Sequence, residues 1–244
     1  MNSYDVIVCG GGHAGIEASL ISLKLGCKTA LVTMNKRAIG RMSCNPAIGG
    51  LSKGQIVKEM DILGGMMGVA TDFSAIQFKI LNQSKGKSVW SPRAQVDKRV
   101  YESFVLNKVV ASNLDIIEGE VVDIVHKSEN IEGIILRNGS KIEAKSVVLT
   151  CGTFLNGLIH IGQRKIRAGR MGESAADGIT ESLVKIGFKS GRLKTGTPPR
   201  INKNSIVWNS AKEVYGDKSA IPFSYRTKHF KPKNHPCHSI YTTS

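Results

Sequence analysis

The chain opens on an almost unbroken apolar run, Tyr4-Asp5-Val6-Ile7-Val8-Cys9, the pattern of a strand buried on both faces. Gly10-Gly11-Gly12-His13-Ala14-Gly15 then reads as a turn. From Ile16 to Leu25 the apolar residues Ile16, Leu20, Leu23 and Leu25 recur at roughly helical spacing, and Gly26 stops the helix. Lys28 to Thr33 returns to a strand pattern. Strand, helix and strand in this order predict a βαβ unit and hence a parallel sheet.

Farther along the pattern is less regular. Residues 35–68 are rich in glycine, with a helix predicted from Gln55 to Leu63. Pro92 reads as the first residue of a helix that continues to about Ala111. Residues 114–150 read as β-structure. Ile131 to Leu136 and Ser140 to Ala144 flank Asn138-Gly139, a strong hairpin signal. Ser146 to Thr150 reads as a further buried strand running into Cys151-Gly152-Thr153, and a helix is expected between Ser174 and Ile186. After Gly196 the chain becomes polar, Pro-interrupted and basic, with Arg226, Lys228, Lys231 and Lys233. Cys237 to Thr243 has strand character but no evident partner, so the chain is expected to stop inside a fold.

Composition narrows the class. The 244 residues suit one large domain or two modest ones, and 41% apolar content excludes a long disordered chain. Lys and Arg number 34 against 19 Asp and Glu, a formal net charge of +15 that favours polyanionic partners. A lysine-rich solvated surface is the plainer reading of the same charge. No apolar run approaches the ~18 residues that cross a bilayer, so no membrane association is expected. A strand begins at Tyr4 with no basic leader before it, and the five cysteines are scattered without a C-x-x-C pair. A reducing cytoplasm and no bound metal are therefore expected.

Gly10-x-Gly12-x-x-Gly15 between a strand and a helix is the dinucleotide-binding signature. The first glycine permits the tight turn, the second lets a pyrophosphate approach the backbone, and the third lets helix and strand pack closely. The pyrophosphate rests on the positive end of the helix. His13 and Ala14 lie within this loop. The acid expected after the second strand is missing, because Thr33-Met34-Asn35 stands there and no acid follows until Glu59. Asn35 is the candidate for the ribose, with Arg37 or Arg41 for a 2′-phosphate; the loop alone does not choose between FAD and NAD(P). The later β-meander and the returning strand that ends at Gly152-Thr153 favour FAD, with the backbone near Val121 passing the adenine.

The expected fold is α/β: a Rossmann-like FAD-binding parallel sheet with an inserted antiparallel β-meander and a second inserted α+β segment. Residues 1–200 are read as an incomplete FAD-binding domain with the meander at about 114–145. Residues 201–244 are read as the truncated start of an inserted NAD-binding-type domain.

Six further blocks are recognisable. They are Gly10 to Ala18, Ser43-Cys44-Asn45-Pro46-Ala47-Ile48-Gly49-Gly50-Leu51-Ser52-Lys53-Gly54, Leu81 to Gly86, Arg93-Ala94-Gln95-Val96-Asp97, Gly152 to Gly157, and Gly191 to Arg200. In their order and spacing they make the chain resemble the flavin subunit of the tRNA uridine 5-carboxymethylaminomethyl modification enzyme, the MnmG or GidA family, over nearly its whole length. Members of that family are much longer, so the chain is expected to be an N-terminal portion. Lys87 replaces a proline frequent in the family, and Cys237 to Thr242 is a loose version of a family block.

The resemblance implies bound FAD reduced by NADH, methylene-tetrahydrofolate as one-carbon donor, a partner GTPase, tRNA as substrate and a homodimer when full length. The product is a carboxymethylaminomethyl group on C5 of the wobble uridine. C5 is a poor nucleophile until a nucleophile adds at C6, and a thiolate suits that role. Cys44 is the candidate, with Lys53 and Lys58 as cations that lower a thiol pKa. Asn45 to Gly54, including Gly49 and Gly50, is expected to line the flavin. Lys85, Arg93 and Lys98 are candidates for tRNA or folate charges, and Arg192, Lys194 and Arg200 for a nucleotide phosphate. Asp97 is read as pairing with Arg93 rather than as a general base. A flavin disulfide reductase is disfavoured because no closely spaced cysteine pair exists. A folate- and FAD-dependent tRNA methyltransferase and an inactive FAD- or RNA-binding fragment remain as alternatives.

Overall fold

The buried apolar runs become strands and the glycine-punctuated stretches become turns and short helices. The computed structural model describes residues 3–43, 45–170, 172–194, 196 and 201–240. In chain order they form β1 (Tyr4–Cys9), α1 (His13–Lys24), β2 (Thr29–Thr33), β3 (Ala47–Gly49), α2 (Lys53–Ile62), α3 (Met67–Ser74), β4 (Ala75–Leu81), β5 (Ser91–Val96) and α4 (Lys98–Val110). There follow β6 (Asp115–Glu118), β7 (Val121–Lys127), β8 (Asn130–Leu136), β9 (Lys141–Leu149), β10 (Leu158–Ile161), β11 (Arg164–Arg167), α5 (Ile179–Ile186), β12 (Lys212–Val214) and β13 (Cys237–Ser239). Two compact units result: residues 1–41 with 105–193, and residues 42–104 with 194–244.

The first unit is built on a six-stranded sheet of order β6-β2-β1-β9-β8-β7. β6, β2, β1 and β9 run parallel, and β8 and β7 return antiparallel. The sheet is thus an α/β sheet carrying an antiparallel meander, as expected. β6 is the exception, because it pairs with β2 from Ala30↔Asp115 to Thr33↔Glu118 and belongs to the parallel half. The two strands expected at Ser140–Ala144 and Ser146–Thr150 are one. The first residues of β9 pair with β8 and its remainder runs beside β1. The turn before it follows the hairpin chemistry: Gly139 has φ +85°, its N–H donates to Leu136 O, and Asn138 Oδ1 accepts from Ser140 N at 3.0 Å. Tyr4, Ile7, Cys9, Ala30, Val32, Ile134, Leu136 and Ala144 form the core on this sheet.

α1 starts at His13, three residues earlier than the leucine spacing predicts. Its buried residues are Gly15, Ile16 and Ser19, and Leu25 is 76% exposed. Ile16 and two small residues, Gly15 and Ser19, face inward, while Leu25 does not. The Ser19 hydroxyl, buried there, donates to Gly15 O at 2.7 Å.

The second unit holds the antiparallel sheet β3-β5-β4 with α2 and α3, and the ribbon β12-β13. Pro92 lies in β5 rather than at a helix start. Its carbonyl accepts from Gly50 N at 2.9 Å, and its missing N–H points to the same side, where β3 has already ended at Gly49. A proline is tolerated at such a place because no ladder bond is lost. The helix starts instead at Lys98. Asp97 caps it, with Oδ1 accepting from Arg99 N at 2.9 Å and Val100 N at 3.1 Å. Asp97 thus acts as the cap of α4, and Arg93 lies in the preceding strand.

Cys237–Ser239 does have a strand partner, Lys212–Val214. The polar segment after residue 200 is moreover tied to β4. Gln77 Nε2 donates to Val214 O and His235 O, both at 2.9 Å, and Asp217 Oδ2 accepts from Ile80 N at 2.7 Å. The division by contact falls near residues 41, 104 and 193 rather than at a single boundary near 200.

Candidate functional site

The four glycines of the first loop have different surroundings. Gly10 has φ +118°, and a Cβ there would lie 2.4 Å from Thr150 O. A Cβ on Gly15 would lie 1.8 Å from Gly10 O. Both positions are closed to any side chain by the protein itself. Gly12 is the opposite: a Cβ would meet nothing within 4 Å, its φ of −77° is ordinary, and the residue is exposed. It is the N-cap of α1 and offers no side-chain acceptor to the first N–H groups of the helix, and no acid lies in the first turn. Those N–H groups have no intrahelical acceptor, so the helix end is suited to an anion. Gly11 is held from below, with Thr33 Oγ1 and Ile39 close to where its Cβ would be, and its carbonyl accepts from Gly40 N.

The end of β9 completes the turn. Thr150 N donates to Cys9 O at 2.9 Å, and Thr150 Oγ1 donates to the same carbonyl at 2.9 Å. Beyond it Gly152 adopts φ +70° with open space at its Cβ position, and Gly152 and Thr153 are exposed. A pocket of about 300 Å³ opens here, lined by Ala14, Leu149, Thr150, Cys151, Gly152, Leu155, Ile179 and Leu183. Its far wall, α5, is fastened to β7: Ser182 Oγ donates to Asp123, and Ile124 N donates to Ser182 Oγ at 3.0 Å. Glu181 holds the start of α5 by accepting from Gly178 N and from Asn156 Nδ2. A glycine-lined helix end beside a mostly apolar pocket is the kind of arrangement that suits a dinucleotide.

The ribose end differs from expectation in its details. Asn35 caps a short 3₁₀ turn, with Oδ1 accepting from Arg37 N at 2.8 Å, so a ribose contact from it must use the amide group. A carboxylate does stand at this end of the sheet, but on β6. Glu118 lies opposite Thr33 and accepts from Lys36 N at 2.8 Å. Sequence reading missed it because the acid sits one strand over, not after β2. No local pattern marks it: only the parallel pairing of residues 115–118 with β2 in the folded chain brings Glu118 there. Val121, at the start of β7, is half-buried against the core of the same sheet.

Two cysteines also meet where their sequence spacing gives no hint. Cys151 lies beside the end of β1, its thiol 3.9 Å from Cys9 O, and both cysteines are free thiols. Burial pushes Cys9 up to about 12, with Cys151 adding to the effect, and burial raises Cys151 as well. Neither is poised as a thiolate.

The remaining candidates lie in the second unit or are otherwise engaged. Cys44 and Arg200 lie outside the described residues. Asn45 is exposed before β3. Gly49 is a packing glycine, since a Cβ would lie 2.2 Å from Pro92 O and 2.7 Å from the Phe223 ring, whereas a Cβ on the buried Gly50 would meet only Arg93 Cδ, at 4.0 Å. Lys53 begins α2 and is exposed. Lys58 points into its own unit: Nζ donates to Pro222 O at 2.7 Å and sits 4.6 Å from the Tyr225 ring centroid. Burial lowers its pKa, against the opposing pull of Asp72 and Asp61. Arg93 is half-buried in β5, and Lys85 and Lys98 are exposed. Arg192 donates to Leu155 O and Asn156 O at 2.9 and 2.8 Å, so it braces the pocket wall rather than standing free for a phosphate. Lys194 is exposed. Among the described residues no group of three His, Cys, Asp or Glu could hold a metal ion. No helix among them is long and apolar enough to cross a membrane.

Comparison with known proteins agrees with this geometry. The profile of the family described as "Glucose inhibited division protein A" matches residues 5–244. The tRNA uridine 5-carboxymethylaminomethyl modification enzyme MnmG of Sulfurihydrogenibium sp. (strain YO3AOP1) is 50% identical over 98% of this chain and 40% of its own length. The MnmG of Flavobacterium psychrophilum is 51% identical over 100% of this chain and 39% of its own. Among solved structures, Aquifex aeolicus GidA matches with a TM-score of 0.92 and 43% identity, over 97% of this chain and 41% of that one. The chain thus spans about two fifths of the length of these relatives.

Proposed function

The chain belongs to the family described as glucose inhibited division protein A, and from that premise we propose that it is the FAD-binding part of an enzyme that modifies C5 of the wobble uridine in tRNA. The observation that carries the flavin part is the contrast within the first loop: Gly10 and Gly15 are closed by the protein, and Gly12 faces open space at the start of α1. The names of the relatives at about half identity support the tRNA part.

In this reading Gly10 to Gly15 and Gly152-Thr153 hold the pyrophosphate, and Asn35 or Glu118 meets the ribose. Val121 passes the adenine. Bound FAD supplies two-electron chemistry between NADH and the one-carbon unit of methylene-tetrahydrofolate. The assigned role of Cys44 is addition of its thiolate to C6 of the uracil ring; the new C–S bond leaves C5 nucleophilic, and once C5 is substituted a base removes the C5 proton, the C5=C6 bond re-forms and the thiolate leaves. Lys53, Asn45, Gly49 and Gly50 follow Cys44 closely in sequence and belong to the same proposed region. A partner GTPase, a homodimer of the full-length protein and a cytoplasmic location complete the reading.

The test begins with the visible absorbance spectrum of the purified chain before and after denaturation. A flavin band released on unfolding supports the cofactor assignment, and a colourless folded protein rejects it for this chain. Turnover is then assayed on tRNA with the partner GTPase, NADH and methylene-tetrahydrofolate. Modification that is lost in Cys44→Ser with flavin content unchanged supports the thiol role. Flavin without modification would leave a binding unit and not an enzyme.

A further inference from the structure

Between Glu143 and Glu173 the sequence contains no acidic residue, yet it carries Lys145, Arg164, Lys165, Arg167 and Arg170. The structure gathers part of this charge on one feature. β10 and β11 form a two-stranded ribbon that pairs with no third strand among the described residues. The register is Leu158↔Arg167, Ile159↔Ile166, His160↔Lys165 and Ile161↔Arg164. Cross-strand partners share a face, so Lys165 and Arg167 stand on one face and Arg164 on the other. Every residue of β11 is exposed.

Pairing distinguishes these cations. Arg167 is bound to Asp177 at 3.0 Å, which anchors the base of the ribbon. Arg164 and Lys165, at the tip, have no ion pair or side-chain hydrogen bond among the described residues. Ile161 and Ile166 beside them are nearly half exposed. Charged residues on a ribbon edge also deter strand pairing with another chain. That role does not call for unpaired cations at the tip, next to exposed apolar side chains. Because Arg164 and Lys165 stand on opposite faces of the ribbon, its tip presents a cation to either side.

We propose that the tip of the β10–β11 ribbon, Arg164 with Lys165, contacts the sugar-phosphate backbone of the tRNA substrate. This rests on the tRNA reading above and adds to it a named contact outside the dinucleotide pocket. The net charge of +15 supplies the general attraction, and the ribbon supplies a defined point of contact.

The test is binding of an unmodified tRNA transcript to the 244-residue chain over a salt series. Arg164→Ala/Lys165→Ala is compared with Lys24→Ala/Lys127→Ala, which removes the same charge from exposed sites elsewhere. The ribbon variant is expected to bind about tenfold more weakly, with a salt slope shallower by roughly 1–2. Its flavin band should match wild type, and Arg164→Lys/Lys165→Arg should restore most of the affinity. Equal losses in the two double variants would overturn the proposal while leaving the tRNA reading intact. A wild-type chain that binds no tRNA would overturn both. Loss of binding to phosphatidylserine vesicles with tRNA binding unchanged would make the ribbon a membrane contact and overturn the proposal as well.

Discussion

Glycine is the residue whose role is most open to direct test, because among the signature glycines Gly10 and Gly15 are closed by the protein and Gly12 is open. Gly15→Ala places a methyl 1.8 Å from Gly10 O, so the turn or the helix must move. Overpacking of this kind costs about 1–3 kcal/mol or more. Thermal unfolding should show a large drop in midpoint, with flavin lost as a consequence. Gly12→Ala meets nothing and suits its φ of −77°, so the midpoint should stay within a degree or two of wild type. Its FAD dissociation constant should nevertheless rise about tenfold, equivalent to ~1.4 kcal/mol. A Gly12→Ala chain with unchanged affinity would remove the pyrophosphate from this position. The buried Asp61 offers a second residue-level test. Burial pushes its carboxyl up, but hydrogen bonds from Ser224, Arg226 and Tyr225 N outweigh this and hold it below the ordinary value. A lowered carboxyl stabilises above its unfolded pKa, and the effect is lost as pH falls through the folded one. Asp61→Asn should therefore cost about 1–3 kcal/mol at neutral pH in urea unfolding. The gap to wild type should shrink below the carboxylate range, and a gap that grew on acidification would contradict the assignment.

At the scale of elements, the cap of α4 and the double pairing of β9 carry the local architecture. Asp97→Ala removes the acceptor of the Arg99 and Val100 N–H groups and should cost about 1 kcal/mol, with Asp97→Asn costing much less. Equal losses in urea unfolding would mean that charge, not capping, is what matters there. β9 joins the hairpin to the parallel sheet in one strand, and in doing so it delivers Thr150 against Cys9 and Gly10. Sequence reading split this strand in two because Lys145-Ser146 interrupts the apolar pattern, although backbone pairing does not need it. It placed a helix at Pro92 because proline is also a good first helical residue; only the end of β3 at Gly49 makes a strand proline harmless.

For the whole molecule, the polar segment after residue 200 is the main surprise. Its hydrophilic composition suggested a new domain. Its backbone is instead bound by side chains far back in sequence: Asp61, Asp72 and Gln77 accept from or donate to residues between 214 and 235. Phe223, 1% exposed, fills the space left by Gly49. Phe223→Ala should cost about 3–5 kcal/mol in urea unfolding, the range of a buried aromatic, if this segment is integral to its unit. A change within error would show that it is peripheral.

Sequence alone determined the βαβ opening, the hairpin at Asn138-Gly139, the chemistry of the glycine loop and the family. Each is encoded locally: by apolar period, by residues that tolerate positive φ, or by short blocks of fixed order. Only the tertiary structure decided which glycines are closed and which is open, because that depends on Thr150 and Gly10 O arriving from elsewhere. It alone brought Glu118 beside β2, Cys151 beside Cys9, and Gln77 to Val214 and His235. Those meetings arise from strand pairing and burial across many residues, and no local pattern carries the distance between two side chains separated by most of the chain.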